Sequence, residues 1–272
     1  MKKLYLKILV WVAVVLIRFY QLTIFKIRPA RCRFTPTCIQ YAIEAKKIYG
    51  FVPARMAASR FPGKPLYHIL GRPMVEHCFE RAKLFLHWNY LAITTCDEKI
   101  RQFGNSKNYE VVMTAATHTR ALDRVTEAAE LCKNPVADDD IIVCVQGDEP
   151  LLGPDIIEMI LDPLLRDPSI NGTVLAVPIV DEETFFNPDT VKLVHNKNFD
   201  VLYTSRSPIP YTKKFTKTLG ALRVGGIFGF KWSFLKWFAS QDESPLELKE
   251  ACDSNRIYDN GFTQRAVIMP YR

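Results

Sequence analysis

The chain has 272 residues, 48% hydrophobic and 24% charged, with a mean hydropathy of −0.03. That composition is ordinary for a globular protein and excludes disorder, collagen and a long coiled coil. The formal net charge of +7 suggests a polyanionic partner at first, but residues 1–43 hold eight Lys and Arg and no acid, whereas from Glu44 onward 28 bases face 29 acids. The body is close to neutral, which argues against nucleic-acid binding. The basic head needs its own explanation.

Residues 8–17 read ILVWVAVVLI between Lys7 and Arg18. Ten helical residues span only about 15 Å, half of the roughly 30 Å hydrocarbon core. Extension over 4–25 gives enough length but takes in Lys7 and Arg18, each costing roughly 2.5–3.5 kcal/mol at mid-bilayer. A secretory signal would need a small-x-small cleavage site, and Arg18, Phe19 and Tyr20 stand there instead. The remaining membrane reading is a helix lying in the interface, or a signal anchor. The eight unbalanced bases favour this over a buried soluble helix, since each contributes about 1 kcal/mol near an anionic leaflet. Cys32 and Cys38 lack a zinc-type spacing, and seven Cys without a CxxC suit a reducing compartment.

From about Lys46 the pattern alternates between strands and helices. Strands are expected at 48–52 (IYGFV), 90–95 (YLAITT), 109–114 (YEVVMT), 141–145 (IIVCV) and 173–179 (TVLAVPI). Helices are expected at 73–86, 97–103, 123–132 and 154–165. Beyond 190 the chain reads as strand-rich to 230, with helices at 231–238 and 246–254. IIVCV is a continuous apolar run, as a strand buried on both faces requires. The alternation predicts an α/β, doubly wound, mainly parallel sheet over 46–272, preceded by a membrane-associating segment over 1–45.

Two loops carry chemistry. PARMAASRFPGKP (53–65) places Arg55, Arg60, Gly63 and Lys64 directly after the first strand. Ligands of open α/β sheets bind outside the carboxyl ends of strands, where such bases suit phosphate oxygens. The loop is neither a P-loop nor a GxGxxG fingerprint. QGDEP (146–150) follows the IIVCV strand, and Asp148 there is placed to hold Mg²⁺, which takes one or two carboxylates plus phosphate oxygens and water. His68, His77, His87 and His195 show no ligand pattern. Cys78, Cys96, Cys132, Cys144 and Cys252 read as small hydrophobes, and Trp232 and Trp237 as core or interface.

The head, with IRFYQL at 17–22 and RCRFTPTCIQYAIEA at 31–45, resembles the bacterial membrane protein insertion efficiency factors. These are small basic proteins associated with the cytoplasmic face of the inner membrane. The resemblance stops near residue 48, before that family's His-, Pro- and Gly-rich segment. The body resembles the sugar nucleotidyltransferases, and specifically the 3-deoxy-manno-octulosonate cytidylyltransferases, the CMP-Kdo synthetases. The motifs are FVPARMAASRFPGKPL (51–66), GRPMVEH (71–77), LDRVTEA (122–128), VQGDEPLL (145–152), YTSRSPIPY (203–211) and SPLELKEACDSNR (244–256).

That resemblance implies a nucleotidyltransferase fold and transfer of CMP from CTP to a 2-keto-3-deoxy sugar acid with loss of pyrophosphate, a step toward lipopolysaccharide precursors. It implies Arg55, Lys64 and Asp148 as catalytic residues and Asp148 as the Mg²⁺ ligand. The nucleotide would lie on Pro53, Ala54, Arg55, Ser59, Arg60, Gly63 and Lys64, with Arg120, Asp123 and Gln146. The sugar acid would lie on Arg206, facing its carboxylate, with Pro208, Tyr211, Asp253 and Ser254. Family members are often homodimers, so that assembly is open here.

The chain departs from the family in four places. His118-Thr119-Arg120-Ala121-Leu122-Asp123-Arg124 stands for HxSGTDR, which bears on base selectivity. Val224 and Gly225 stand where a His commonly precedes the GIYAYR-like strand. Asp253 and Ser254 replace a Glu-Gln pair on the sugar side, consistent with Kdo or an amino-substituted variant. The VDTP-like segment with the second metal carboxylate would follow Arg272, so the domain reads as truncated there. An alternative is an insertion factor carrying a vestigial transferase domain.

Overall fold

The structure is a computed structural model and describes residues 46–57 and 61–269, all within the compact unit Ala42–Arg272. The expected membrane-associating helix, and Ser59 and Arg60 of the first basic loop, lie outside the described residues. Among the described residues no helix is long and apolar enough to cross a membrane.

The chain begins with β1 (Ile48–Pro53), a 3-10 turn (Lys64–Leu66), the short pair β2 (His68–Ile69) and β3 (Arg72–Pro73), and α1 (Met74–Lys83). It continues with β4 (Tyr90–Thr95), α2 (Glu98–Ser106), β5 (Val111–Met113), α3 (Ala121–Leu131), β6 (Ile141–Val145), α4 (Pro154–Arg166) and β7 (Gly172–Pro178). Then come α5 (Glu182–Phe186), β8 (Lys192–His195), β9 (Val201–Ser205), a second 3-10 turn (Lys217–Leu219) and β10 (Leu222–Lys231). The last elements are α6 (Trp232–Ser240), α7 (Pro245–Glu250), α8 (Ser254–Asp259) and β11 (Arg265–Ile268).

The main sheet runs β11-β7-β10-β6-β1-β4-β5, with β8 and β9 attached beside β10. β1 pairs in parallel with both β4 and β6, β4 with β5, and β7 with β11. β10 is inserted antiparallel between β6 and β7. β8 pairs antiparallel with both β10 and β9; the connection 196–200 between β8 and β9 is too short for the crossover that parallel neighbours need.

Both faces are covered, as the unbroken apolar runs demand. Tyr49, Phe51, Ile142 and Cys144 share one core with Leu122 and Val125 of α3 and with Phe234 and Leu235 of α6. Their alternates Ile48, Val52, Ile141 and Val143 are equally buried and point to the other face. There α1, which touches β1, and α4, which lies on β7 and β10, supply Val75, Phe79, Ile157 and Ile160.

The expected single helix over 246–254 is instead two short ones. Ser244 and Glu247 form a capping box that starts α7, and Ala251 in the left-handed region (φ 48°) ends it. The edge strand β11 is absent from the sequence expectation, being only four residues long. Cys78 and Cys144 are buried, Cys96, Cys132 and Cys252 are partly so, and all five are free thiols. Trp232 is buried, and Trp237 stacks on Phe234 with ring centroids 4.9 Å apart.

β1 has β4 on one side and β6 on the other, so chain connections leave it in opposite directions. A crevice opens at such a switch point, beyond the carboxyl ends of the strands. The two chemistry-bearing loops begin there.

Candidate active site

The loop after β1 is folded back on itself. The Ala54 amide donates to the Thr94 carbonyl, and the Gly63 amide donates to the Met56 carbonyl, both at 2.9 Å. Gly63 is left-handed (φ 80°) and starts the 3-10 turn that carries Lys64. Lys64 thereby returns to the mouth of the sheet, where its Nζ lies 2.8 Å from Oδ2 of Asp148 in the loop after β6. The side chains are 33% and 43% exposed. The pair is thus open to exchange with an incoming anion rather than locked in the core.

Two cavities meet at this point. The first, about 220 Å³, is walled by Pro53, Ala54, Arg55 and Lys64 on one side and by Arg120, Gln146 and Asp148 on the other. The second, about 350 Å³, includes Arg206, Asp253 and Ser254 and shares Gln146 and Asp148 with the first. Most of the residues expected from sequence therefore gather as two adjoining sets, with Asp148 on the common wall.

Four expected residues line neither wall: Gly63, which starts the turn carrying Lys64, and three that stand apart. Asp123 is turned away and pairs with Arg256, Oδ1 to guanidinium at 3.0 Å. Pro208 and Tyr211 are exposed, Tyr211 at 82%, and belong to neither wall.

The segment 118–124, read in the sequence as bearing on base selectivity, also helps build the wall of the first cavity. His118 lines the first cavity, with Nε2 2.5 Å from Oε2 of Glu127. Its carbonyl accepts from Arg55 at 3.4 Å and from Arg124 at 3.3 Å. Arg124 is buried and also donates to Thr114 Oγ1 and the Ala115 carbonyl, pinning the segment that forms this wall. Its place in LDRVTEA was the available signal. Arg120, just before α3, approaches Glu243 and Glu247 at 3.9 and 3.7 Å. Its buried Nε has no hydrogen-bond partner among the described residues.

In the second cavity, burial and then the neighbouring Asp148 push Glu149 up to about 7, with Arg223 and Lys64 opposing. Burial likewise raises Asp253, against the pull of Arg120. Arg206 lines this wall, but its nitrogens bond to main-chain carbonyls: Nε to Glu250 at 2.8 Å, NH1 to Pro188 at 3.0 Å and NH2 to Ala251 at 3.3 Å. Behind it Lys192, fully buried, donates to the carbonyls of Asn187, Thr190 and Arg206. Lys192 and Arg206 together clamp the loops that shape the cavity.

Gly226 is left-handed (φ 72°), within the register shift of β10, and a Cβ there would lie 2.6 Å from Oε1 of Glu149. Its carbonyl accepts from the Gln146 amide at 3.0 Å. Gly226→Ala should therefore lower stability by about 2 kcal/mol, read as a fall in the urea midpoint at unchanged slope.

The donor set suits a shared metal rather than a caged one. Among the described residues no three His, Cys, Asp or Glu side chains could enclose an ion. Asp148 is a half-exposed carboxylate on the wall common to both cavities. That fits Mg²⁺, which completes its shell with phosphate oxygens and water.

The cytidylyltransferase family model matches residues 49–265. A model for a membrane protein insertion efficiency factor matches residues 9–61. The 3-deoxy-manno-octulosonate cytidylyltransferase of Syntrophus aciditrophicus is 36% identical over 226 residues, covering 82% of this chain and 89% of the relative. That of Nitratidesulfovibrio vulgaris strain DP4 is 39% identical over 227 residues, covering 82% and 88%. A solved structure of CMP:2-keto-3-deoxy-manno-octonic acid synthetase complexed with CTP superposes with a TM-score of 0.73 at 32% identity, covering 82% of this chain and 90% of that one. The chain belongs to the cytidylyltransferase family.

Proposed function

We propose that this chain transfers CMP from CTP to 3-deoxy-manno-octulosonate and releases pyrophosphate. The observation that carries this reading is the pair of cavities meeting at Gln146 and Asp148, one rimmed by Arg55 and Lys64, the other by acids and arginines. The first cavity takes the nucleotide. Its triphosphate is met by Arg55 and by Lys64, which exchanges its contact with Asp148 for phosphate oxygens. Ser59 and Arg60 belong to the same loop in sequence. Asp148, on the shared wall, would hold Mg²⁺, and the bound ion would neutralise charge on the phosphates.

The second cavity holds the sugar acid with its anomeric hydroxyl toward that wall. The hydroxyl oxygen bonds to the α-phosphorus as the bond to the pyrophosphate oxygen breaks, and the hydroxyl proton passes to solvent. The side chains supply orientation and charge stabilisation, with no covalent intermediate on the protein. The basic head, residues 1–43, is proposed to hold the enzyme at the cytoplasmic face of an anionic membrane; the family match over 9–61 supports this.

The test uses the full-length chain with CTP, Mg²⁺ and 3-deoxy-manno-octulosonate. Pyrophosphate release that needs all three, with a new phosphodiester signal by ³¹P NMR, is expected. Vesicles containing anionic lipid should sediment the protein in the same preparation, and neutral vesicles should not. Folded protein that binds CTP but releases no pyrophosphate would overturn the catalytic reading.

A further inference from the structure

We infer that Arg223, rather than Arg206, receives the carboxylate of the acceptor sugar. The inference rests on the reading of the second cavity as the acceptor site. A 2-keto-3-deoxy sugar acid carries its carboxylate on the anomeric carbon, next to the attacking hydroxyl. Fixing that carboxylate therefore fixes the nucleophile.

The cavity offers little choice of partner. Its wall includes four carboxyl groups, Asp148, Glu149, Asp189 and Asp253, and two guanidiniums, Arg206 and Arg223. An incoming carboxylate placed against the acids meets like charge and lost hydration. Lys64, on the wall of the first cavity, is held by Asp148 at 2.8 Å and is needed on the nucleotide side.

Arg206 is poorly placed to serve. Each of its three guanidinium nitrogens already donates to a main-chain carbonyl. Its own amide donates to Glu250 Oε2 at 2.8 Å. Turning this fork to a substrate would break the junction between the loop around Pro188 and the turn at Ala251. Arg206 therefore acts as a clamp that shapes the wall.

Arg223 differs in each respect. Among the described residues its guanidinium makes a single hydrogen bond, from NH1 to the Val224 carbonyl at a long 3.4 Å. Nε and NH2 remain available. A carboxylate accepts two parallel N–H bonds from such a fork, the strongest neutral-water match for that group. The base of the side chain is rigid, since Arg223 lies in β10 between Val177 of β7 and Lys192 of β8. Glu149 lines the same cavity, but no ion pair joins it to Arg223 among the described residues.

The test compares wild type, Arg223→Gln and Arg223→Lys with two acceptors, the sugar acid and its C1 carboxamide. Arg223→Gln should raise KM for the acid roughly tenfold to a hundredfold. KM for CTP should stay unchanged, as should the poor use of the amide. Arg223→Lys should recover part of the preference for the acid. An unchanged KM for the acid, or an equal loss with acid and amide, would overturn the assignment and leave Arg223 as a support for Glu149. If wild type releases no pyrophosphate, the transferase reading fails on its own. Calorimetric binding of the acid in the presence of a non-cleavable CTP analogue then still reads the contact: weaker binding to Arg223→Gln supports it, and equal binding or none overturns it.

Discussion

Asp148→Asn is expected to lower turnover by roughly 10²–10³-fold, the effect of removing one preorganised electrostatic group from a reacting centre. Asp148 borders both cavities and contacts Lys64 at 2.8 Å. On the proposed reading its charge serves two ends: it positions the lysine before CTP arrives, and it would hold Mg²⁺. Asparagine keeps the shape and removes the charge. Lys64 is then released from its partner, so CTP should bind at least as tightly as in wild type when magnesium is omitted. The magnesium-dependent gain in CTP affinity should shrink. Folding should be little affected, because partly exposed ion pairs contribute at most about 1 kcal/mol. The measurements are kcat from pyrophosphate release and CTP titrations with and without magnesium. A variant retaining more than a tenth of wild-type turnover would remove Asp148 from the centre of the reaction.

That site was visible in the sequence for a physical reason. IIVCV is apolar without interruption, and Ile141–Val145 are all fully buried at the centre of the sheet. A polar QGDEP directly after such a strand has nowhere to go but the crevice at its end. The same logic placed Arg55 and Lys64 after β1. These inferences need only a local run and the rule for where ligands bind open sheets.

What stayed hidden depends on partners far along the chain. Nothing local to LRVGGIFGFK says that β10 runs antiparallel between two strands from distant parts of the sequence. Arg206 carries the same side chain whether it faces a substrate or three carbonyls. Those acceptors come from Pro188, Glu250 and Ala251, so only the assembled fold distinguishes the two. Asp123 was misleading in the same way, since its partner Arg256 lies 133 residues later. The break at Ala251 was missed because Ala favours helix, and the tertiary setting overrides that weak preference.

Arg256 itself should give the largest stability effect in the molecule. Its side chain is 3% exposed, and that of Glu247 is fully buried. The guanidinium grips both oxygens of Glu247 at 2.7 and 2.8 Å and both oxygens of Asp123 at 3.0 and 3.3 Å. It also lies over the Phe238 ring, 4.3 Å from its centroid. Burial alone would ease the proton off, but the hydrogen bonds that Arg256 donates to Glu247 and Asp123 outweigh it and hold the group above its ordinary value. Three helices, α3, α7 and α8, are thereby joined behind the two cavities. Arg256→Ala strands the Glu247 carboxylate in the core, and breaking a buried pair this way costs roughly 3–5 kcal/mol. The stranded charge, rather than lost attraction, is the main part of that cost. The double variant Arg256→Met with Glu247→Gln should therefore recover at least half of the loss in urea unfolding. A double variant no more stable than Arg256→Ala would mean that packing against Phe238, not charge compensation, is what the arginine supplies.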